Sequence, residues 1–439
     1  MEGKAILPTV MTALTVLVQG PADVAAIRWA GAPQSPRADE VNEVMAWAGQ
    51  AAELVNIGLT AREYTIVTVA MFTAANAVTQ RYEPYMLRLT ADPSTSVDAA
   101  VASAAHRALS VVWPRENRVW DELYEASLSR IGDASAKAAG IRLGRTAADG
   151  ILTLRSEDIP FPGPTVESRP GSGVWRPTEH ELTATQAGRY APLLGLPPIT
   201  AYLYWKPWTL DAREQFRPGP PPNLTSAEYA RDHDEVRTLG RLDSRQRTAD
   251  QTAEALFFMV PAPRIFGPLA NRVAAARHLD VTDASRLQAL LAMALTDAQI
   301  ACWDAKFTYR QWRPLSAIRE ADSDGNPVTE PDPNWLPLVP TPPFPDYPAA
   351  HACSAGAAAA VLAGYVHPGE PLVVTSPATG IPAGSGRTRV YPTLQAIKTS
   401  VANARVYAGV HFRSSSDAGA RIGEKVGSWV VQRFLKPAR

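Results

Sequence analysis

The chain has 439 residues, of which 46 % are apolar and 20 % charged, the composition of a folded protein with room for a large core or two domains. Its 43 basic residues balance 43 acidic ones, which excludes the overall basic excess of a nucleic-acid binder and makes any cationic patch a local feature.

The N-terminus opens with an apolar run, Ala5 to Val18, behind Lys4 and ahead of the small residues Gly20 and Ala22. Residues 1–22 read either as a signal peptide or as an ordinary first helix, with Glu2, Pro8 and Gln19 counting against the signal. The first reading makes the protein secreted or periplasmic, the second cytoplasmic. Elsewhere no apolar run reaches the roughly 18 residues of a membrane span. The Ala357–Val366 stretch is too short, so an integral membrane protein is not expected.

Helical spacing of apolar residues then dominates, over 61–80, 97–112, 117–130 and 133–155. Thr60-Ala-Arg-Glu63 has the form of a capping box opening the first of these. Residues 157–224 change character, with Pro160-Phe-Pro-Gly-Pro164 and Arg217-Pro-Gly-Pro-Pro-Pro222, and read as an irregular connector. Helical pattern returns at 226–239, 244–259, 265–278 and 283–312; a second Pro-rich stretch, 326–348, precedes helices at 348–365, 392–409 and 416–434. Few stretches alternate as strands do. The expected fold is all-α with two helical bundles, 23–156 and 225–439, joined by the connector 157–224.

Three clusters in the second half carry chemistry. In Cys302-Trp-Asp-Ala-Lys-Phe-Thr-Tyr-Arg-Gln-Trp-Arg-Pro314, Lys306 and Arg313 are seven residues apart, about two helical turns, so a helix through both puts them on one face with Trp303. Pro314 biases Arg313 away from helical geometry and ends that helix. Two cations on one face suit an anion between them, or a solvated basic surface.

In Phe344-Pro-Asp-Tyr-Pro-Ala-Ala-His351, Pro348 suits a helix start. His351 then falls in the first turn beside unpaired backbone N–H groups, where anions bind and where structural histidines also occur. In Asn403-Ala-Arg-Val-Tyr-Ala-Gly-Val-His411, Gly409 marks an end or bend between Arg405 and His411, which places His411 in a junction, as an active or simply a packed residue.

Taken together, Lys-x6-Arg-Pro, Pro-x-x-His and Arg-x5-His in this order resemble the signature of the vanadium-dependent haloperoxidases and related acid phosphatases (the PAP2 superfamily). The gaps of 33 residues from Pro314 to Pro348 and 53 from His351 to Arg405 suit that layout. Ser168-Arg-Pro170, Val174-Trp-Arg-Pro-Thr178, Gln215-Phe-Arg-Pro-Gly-Pro-Pro-Pro222 and Thr248-Ala-Asp-Gln-Thr252 are similar to segments of the bacterial haloperoxidase-like branch.

The resemblance implies a vanadium chloroperoxidase-like helical fold and an oxyanion site. Lys306, Arg313, Arg405 and the Ala350 N–H would hold vanadate or phosphate, and His411 would be the axial group. It would ligate vanadium in a haloperoxidase and be the phosphorylated nucleophile in a phosphatase. His351 would be the general acid–base, and Lys306 would polarise bound peroxide. Trp303 and Phe344 stand where the fungal chloroperoxidase has its halide-pocket aromatics. The implied activity is therefore a vanadate-dependent haloperoxidase acting on hydrogen peroxide, halide and an organic acceptor. The alternative is an acid phosphatase cleaving phosphate monoesters on the same site, and a third reading is an oxyanion binder without turnover.

The pattern also departs from the family. Ala349 and Ala350 replace Ser and Gly, Ala404 replaces a Ser, and Ser415 stands where an acid is common, with Asp417 two residues on. The two cysteines, Cys302 and Cys353, flank Trp303 and His351 and are either free thiols or one bridge.

Overall fold

Long runs of Ala, Leu and other good helix formers give thirteen α-helices among the described residues, with two short strands beside them. The computed structural model describes residues 42–54, 61–159, 163–164, 171–178 and 200–438 apart from 379 and 383. The segment 1–22, Thr60 and the Ser168-Arg-Pro170 segment lie outside the described residues.

In chain order the helices are α1 Glu43–Leu54, α2 Ala61–Thr79, α3 Val97–Val112, α4 Asn117–Ser129, α5 Ala134–Leu154, α6 Ala227–Leu239, α7 Ala249–Phe257 and α8 Pro263–Ala276. Then come α9 Val281–Tyr309, α10 Pro314–Arg319, α11 Ala350–Leu362, α12 Leu394–Tyr407 and α13 Arg413–Arg433. Caps explain several of these starts. Ser96, Asp133, Ser226 and Asp280 each accept a first-turn N–H, and Thr248 with Gln251 forms a full capping box. Sequence periodicity gives no sign of the antiparallel pair β1 Leu372–Thr375 and β2 Thr388–Tyr391, because four-residue strands are too short to show alternation.

The two bundles share α9. This 29-residue helix is buried along most of its length, packing against α2 on one side and against α11 and α13 on the other. Such a helix is apolar all round rather than striped. The connector is clamped onto it. The carboxylate of Asp297, fully buried in α9, accepts the N–H groups of Trp208 and Thr209 at 2.7 Å each, and Arg217 binds Asp304 bidentately at 2.6 and 2.7 Å.

On the other side, α11 and α13 approach closely. A Cβ on Gly423 would lie 1.9 Å from the Cys353 carbonyl, so only glycine allows this crossing. That crossing fixes α11, and with it His351, against the C-terminal helix. No described helix is long and apolar enough to cross a membrane.

Candidate active site

The expected continuous helix through Lys306 and Arg313 does not exist. Helix α9 ends at Tyr309, and Arg310 takes the left-handed C-cap conformation, φ 50° and ψ 36°. The chain then pairs with 173–175: the Trp175 N–H donates to the Arg310 carbonyl at 2.7 Å and the Trp312 N–H to the Gly173 carbonyl at 2.9 Å. Arg313 is extended, as Pro314 requires, and caps the start of α10. Lys306 and Arg313 thus reach the same place from a helix end and a strand-like turn, not from one face.

What gathers them is the Pro-rich strap. Three consecutive carbonyls accept from the two cations: Phe344 from Arg313 Nε at 2.7 Å, and Pro345 and Asp346 from Lys306 Nζ at 2.8 Å each. Lys306 also sits over the rings of Trp303 and Phe344, 5.8 and 5.3 Å from their centroids, and those rings are 5.1 Å apart.

Helix α11 begins directly after the strap. Its N-cap is Ala349, which has no side chain to accept a first-turn N–H, so the Ala350 and His351 amides are left for water or a ligand. Helix α12 delivers Arg405 in its last turn. Gly409, at φ +76°, then turns the chain tightly against Gly240, and His411 follows just before α13.

The structure therefore brings Lys306, Arg313, Arg405, His351 and His411 into one buried locality. Arg313 Nη1 donates to the Val410 carbonyl at 2.6 Å and lies 3.0 Å from His411 Nε2. Arg405, Lys306 and Arg313 all act on the His351 imidazole, whose ring hydrogen-bonds the backbone of Val260. Arg405 Nη1 finds only the Met259 thioether, at 3.2 Å.

The functional residue that sequence reasoning passed over is Asp346. Fully buried, its Oδ1 lies 2.9 Å from His411 Nδ1, although no donor is aligned on that oxygen for a regular hydrogen bond. Its Oδ2 accepts from the Ser415 hydroxyl. Ser415, which occupies the place of the usual acid, thus holds an acid supplied from elsewhere. Asp417 is exposed and lies in the field of Arg413 and Arg421, not on His411. The available signal was the pairing of an acid missing at Ser415 with an acid inside Pro345-Asp346-Tyr347.

The electrostatics are those of an incomplete site. Burial pushes Lys306 down to about 8, Arg313 to about 10 and Arg405 to about 9; the Arg313 charge adds to the shifts of Lys306 and Arg405, and Asp346 opposes all three. Burial raises Asp346 to about 6 against the pull of Arg313 and the Ser415 hydroxyl. Both histidines are driven well below their ordinary range, first by burial and then by the cations, so both are neutral near pH 7. Arg313 Nη1, which can only donate, lies 3.0 Å from His411 Nε2 and 3.4 Å from Nδ1; the shorter contact assigns Nε2 as the acceptor and leaves the hydrogen on Nδ1, facing Asp346.

Three buried cations share one carboxylate, itself 3.9 Å from Arg313. Arg313 Nη2 and Arg405 Nε are buried with no hydrogen-bond partner. Buried unpaired charges cost several kcal/mol each, and an anion of about two negative charges would neutralise them. A donor set of two guanidiniums, one ammonium, free first-turn amides and a neutral imidazole fits a tetrahedral oxyanion such as vanadate or phosphate.

Fold and site together describe a helical protein with a buried cluster of two arginines, a lysine and two histidines, the donor set an oxyanion would need. Residues 286–439 match the family described as the VCPO second helical-bundle domain. The vanadium chloroperoxidase of Curvularia inaequalis is 31 % identical over 177 residues, 33 % of this chain, and the match spans only 28 % of that protein's length. Among solved structures, a bacterial vanadium-dependent iodoperoxidase superposes with a TM-score of 0.72 at 20 % identity, covering 93 % of this chain and all of that one. A holo-type bacterial vanadium-dependent chloroperoxidase gives 0.70 at 18 % identity, over 91 % of this chain and 98 % of the other. Residues 286–439 are thus similar to the vanadium chloroperoxidase second helical bundle, and the chain carries the fold of the bacterial vanadium haloperoxidases.

Proposed function

We propose that this protein is a vanadate-dependent haloperoxidase, oxidising halide with hydrogen peroxide to hypohalous acid. The observation that carries the reading is the nest of three buried cations around a neutral His411, with two guanidinium nitrogens lacking any partner. Vanadate, when bound, supplies a Lewis-acidic centre that activates peroxide toward a halide.

The chain's own residues supply the rest. Lys306, Arg313 and Arg405, together with the Ala350 N–H, would hold the oxyanion's oxygens. Fixed before binding, they stabilise developing charge without reorganisation. His411 would offer its Nε2 lone pair to the bound group, with Arg313 Nη1 3.0 Å from that nitrogen. Asp346 faces the opposite nitrogen at 2.9 Å, where its negative charge favours a hydrogen on Nδ1. His351, neutral and tied to the Val260 backbone, is the proton acceptor beside the oxyanion.

The aromatic pair favours halide over a phosphate ester as substrate. Trp303 and Phe344 wall the Lys306 ammonium and strip water from a small anion there. The chain also lacks the hydroxyls that Ala349 and Ala404 replace, which lowers the expected efficiency more than it lowers anion affinity.

The test is peroxide-dependent bromination of a dye by metal-free protein given orthovanadate, with phosphate-ester cleavage assayed in parallel without it. Bromination that requires vanadate is expected. Ester cleavage that vanadate inhibits, without bromination, would replace this reading with the acid phosphatase. Binding with neither activity would leave an oxyanion carrier.

A further inference from the structure

We propose that Cys302 and Cys353 are an oxidisable thiol pair that hydrogen peroxide converts into a disulfide joining α9 to the first turn of α11, directly beneath the oxyanion nest. Both cysteines are free and fully buried, and they lie where α9 and α11 meet: Gln299, three residues before Cys302, donates to the Ala350 carbonyl at 2.9 Å and to the Ser354 hydroxyl at 2.6 Å, on either side of Cys353. Cys302 lies one turn before Lys306 in α9, and its thiol also donates to the Pro348 carbonyl at 3.5 Å, against the residue that leads into α11. Cys353 lies in the first turn of α11, two residues after His351. Two cysteines on the apposed stretches of packed helices are placed for a bridge, and the close α11–α13 crossing at Gly423 holds Cys353 in place.

The order of events follows from the surroundings. Against the opposing effect of burial, the Cys353 thiol and then Lys306 and Arg313 draw the Cys302 thiol toward the thiolate, while burial and Cys302 push Cys353 the other way. Cys302 sulfur attacks one peroxide oxygen, the O–O bond breaks, and a sulfenic acid and one water result. Cys353 sulfur then attacks the sulfenic sulfur, the S–S bond forms and a second water leaves. Two thiols lose two hydrogens and two electrons, and one peroxide becomes two waters. Because neither sulfur is exposed, a free thiol such as glutathione cannot intercept the sulfenic acid, so the resolving partner is Cys353. The bridge ties the Lys306 helix to the helix that carries Ala350 and His351, and it removes reduced sulfur from the path of any oxidant made above it.

The proposal rests on the geometry of the pair and not on the halide chemistry, and its test needs neither vanadate nor halide. The reduced full-length protein is treated with hydrogen peroxide, quenched, denatured and alkylated, and its intact mass and proteolytic peptides are measured. Two alkylatable thiols should fall to none, with a mass lower by two hydrogens, a peptide joining Cys302 to Cys353, and full recovery with dithiothreitol. In Cys353→Ala the same treatment should drive Cys302 to sulfinic acid, which dithiothreitol does not reverse. Two thiols surviving peroxide, or their loss without a joining peptide, would overturn the proposal. So would a Cys353→Ala protein whose Cys302 stays reduced. Loss of bromination with intact bridging would count against the haloperoxidase reading alone.

Discussion

Arg405 is the most exposed point of the electrostatic argument, because almost nothing in the chain compensates it. Its guanidinium is 1 % exposed, one nitrogen meets a thioether and Nε meets nothing. Burial and Arg313 bring it from its ordinary 12.5 to about 9. That difference corresponds to roughly 5 kcal/mol of penalty at neutral pH, an upper bound for the native chain without an anion. The sign follows: a base whose pKa falls on folding destabilises the fold at every pH below its folded value and is relieved only as pH rises above it.

Arg405→Met keeps volume and removes the charge, so without an anion it should stabilise the protein by roughly 2–4 kcal/mol, as seen when buried ions give way to apolar side chains. In the wild type, phosphate at about a hundred times its Kd should add close to 2.7 kcal/mol; in the variant that increment should vanish. The assay is urea unfolding at pH 7 with and without phosphate, comparing midpoints at constant slope. A variant less stable than wild type without phosphate, yet equally stabilised by it, would refute the reasoning.

Three further outcomes are expected. Asp346→Asn should lower vanadate affinity by about 10–100-fold, read by titration, since the partner that orients His411 is lost while all three cations remain. Phosphate affinity should weaken as pH rises through about 8, where Lys306 loses its proton, and Lys306→Met should abolish that step. Phe344→Leu should raise the KM for halide and leave phosphate affinity within about twofold, because the ring walls the Lys306 ammonium without donating to the anion.

Much of this was legible in the sequence, for identifiable reasons. The helices of both bundles carry strong periodicity, and the body of α9 could be placed because the helical pattern over 283–312 is long. Lys306, Arg313, His351, Arg405 and His411 could be named together because the spacing of three clusters resembles one family. The stop at Arg310 was hidden, because the segment that pulls the chain out of the helix is 173–175, far away in sequence.

Asp346 was hidden for a related reason. Its partner Ser415 belongs to another element, and an acid flanked by Pro345 and Tyr347 has no periodicity to declare a buried face. Met259 on Arg405 is likewise a tertiary meeting, of the residues after α7 with the last turn of α12. In each case the motif marks the charge, and only the packing reveals what it lacks.

The central claim is that an oxyanion completes this site, with His411 as the nitrogen that would hold vanadate. Calorimetric titration of the full-length protein with orthovanadate addresses it most directly. One anion per chain should bind, phosphate should compete for the same site, and His411→Ala should bind vanadate far more weakly while keeping most of its phosphate affinity. Equal vanadate binding by wild type and His411→Ala, or uptake that phosphate does not displace, would contradict the account.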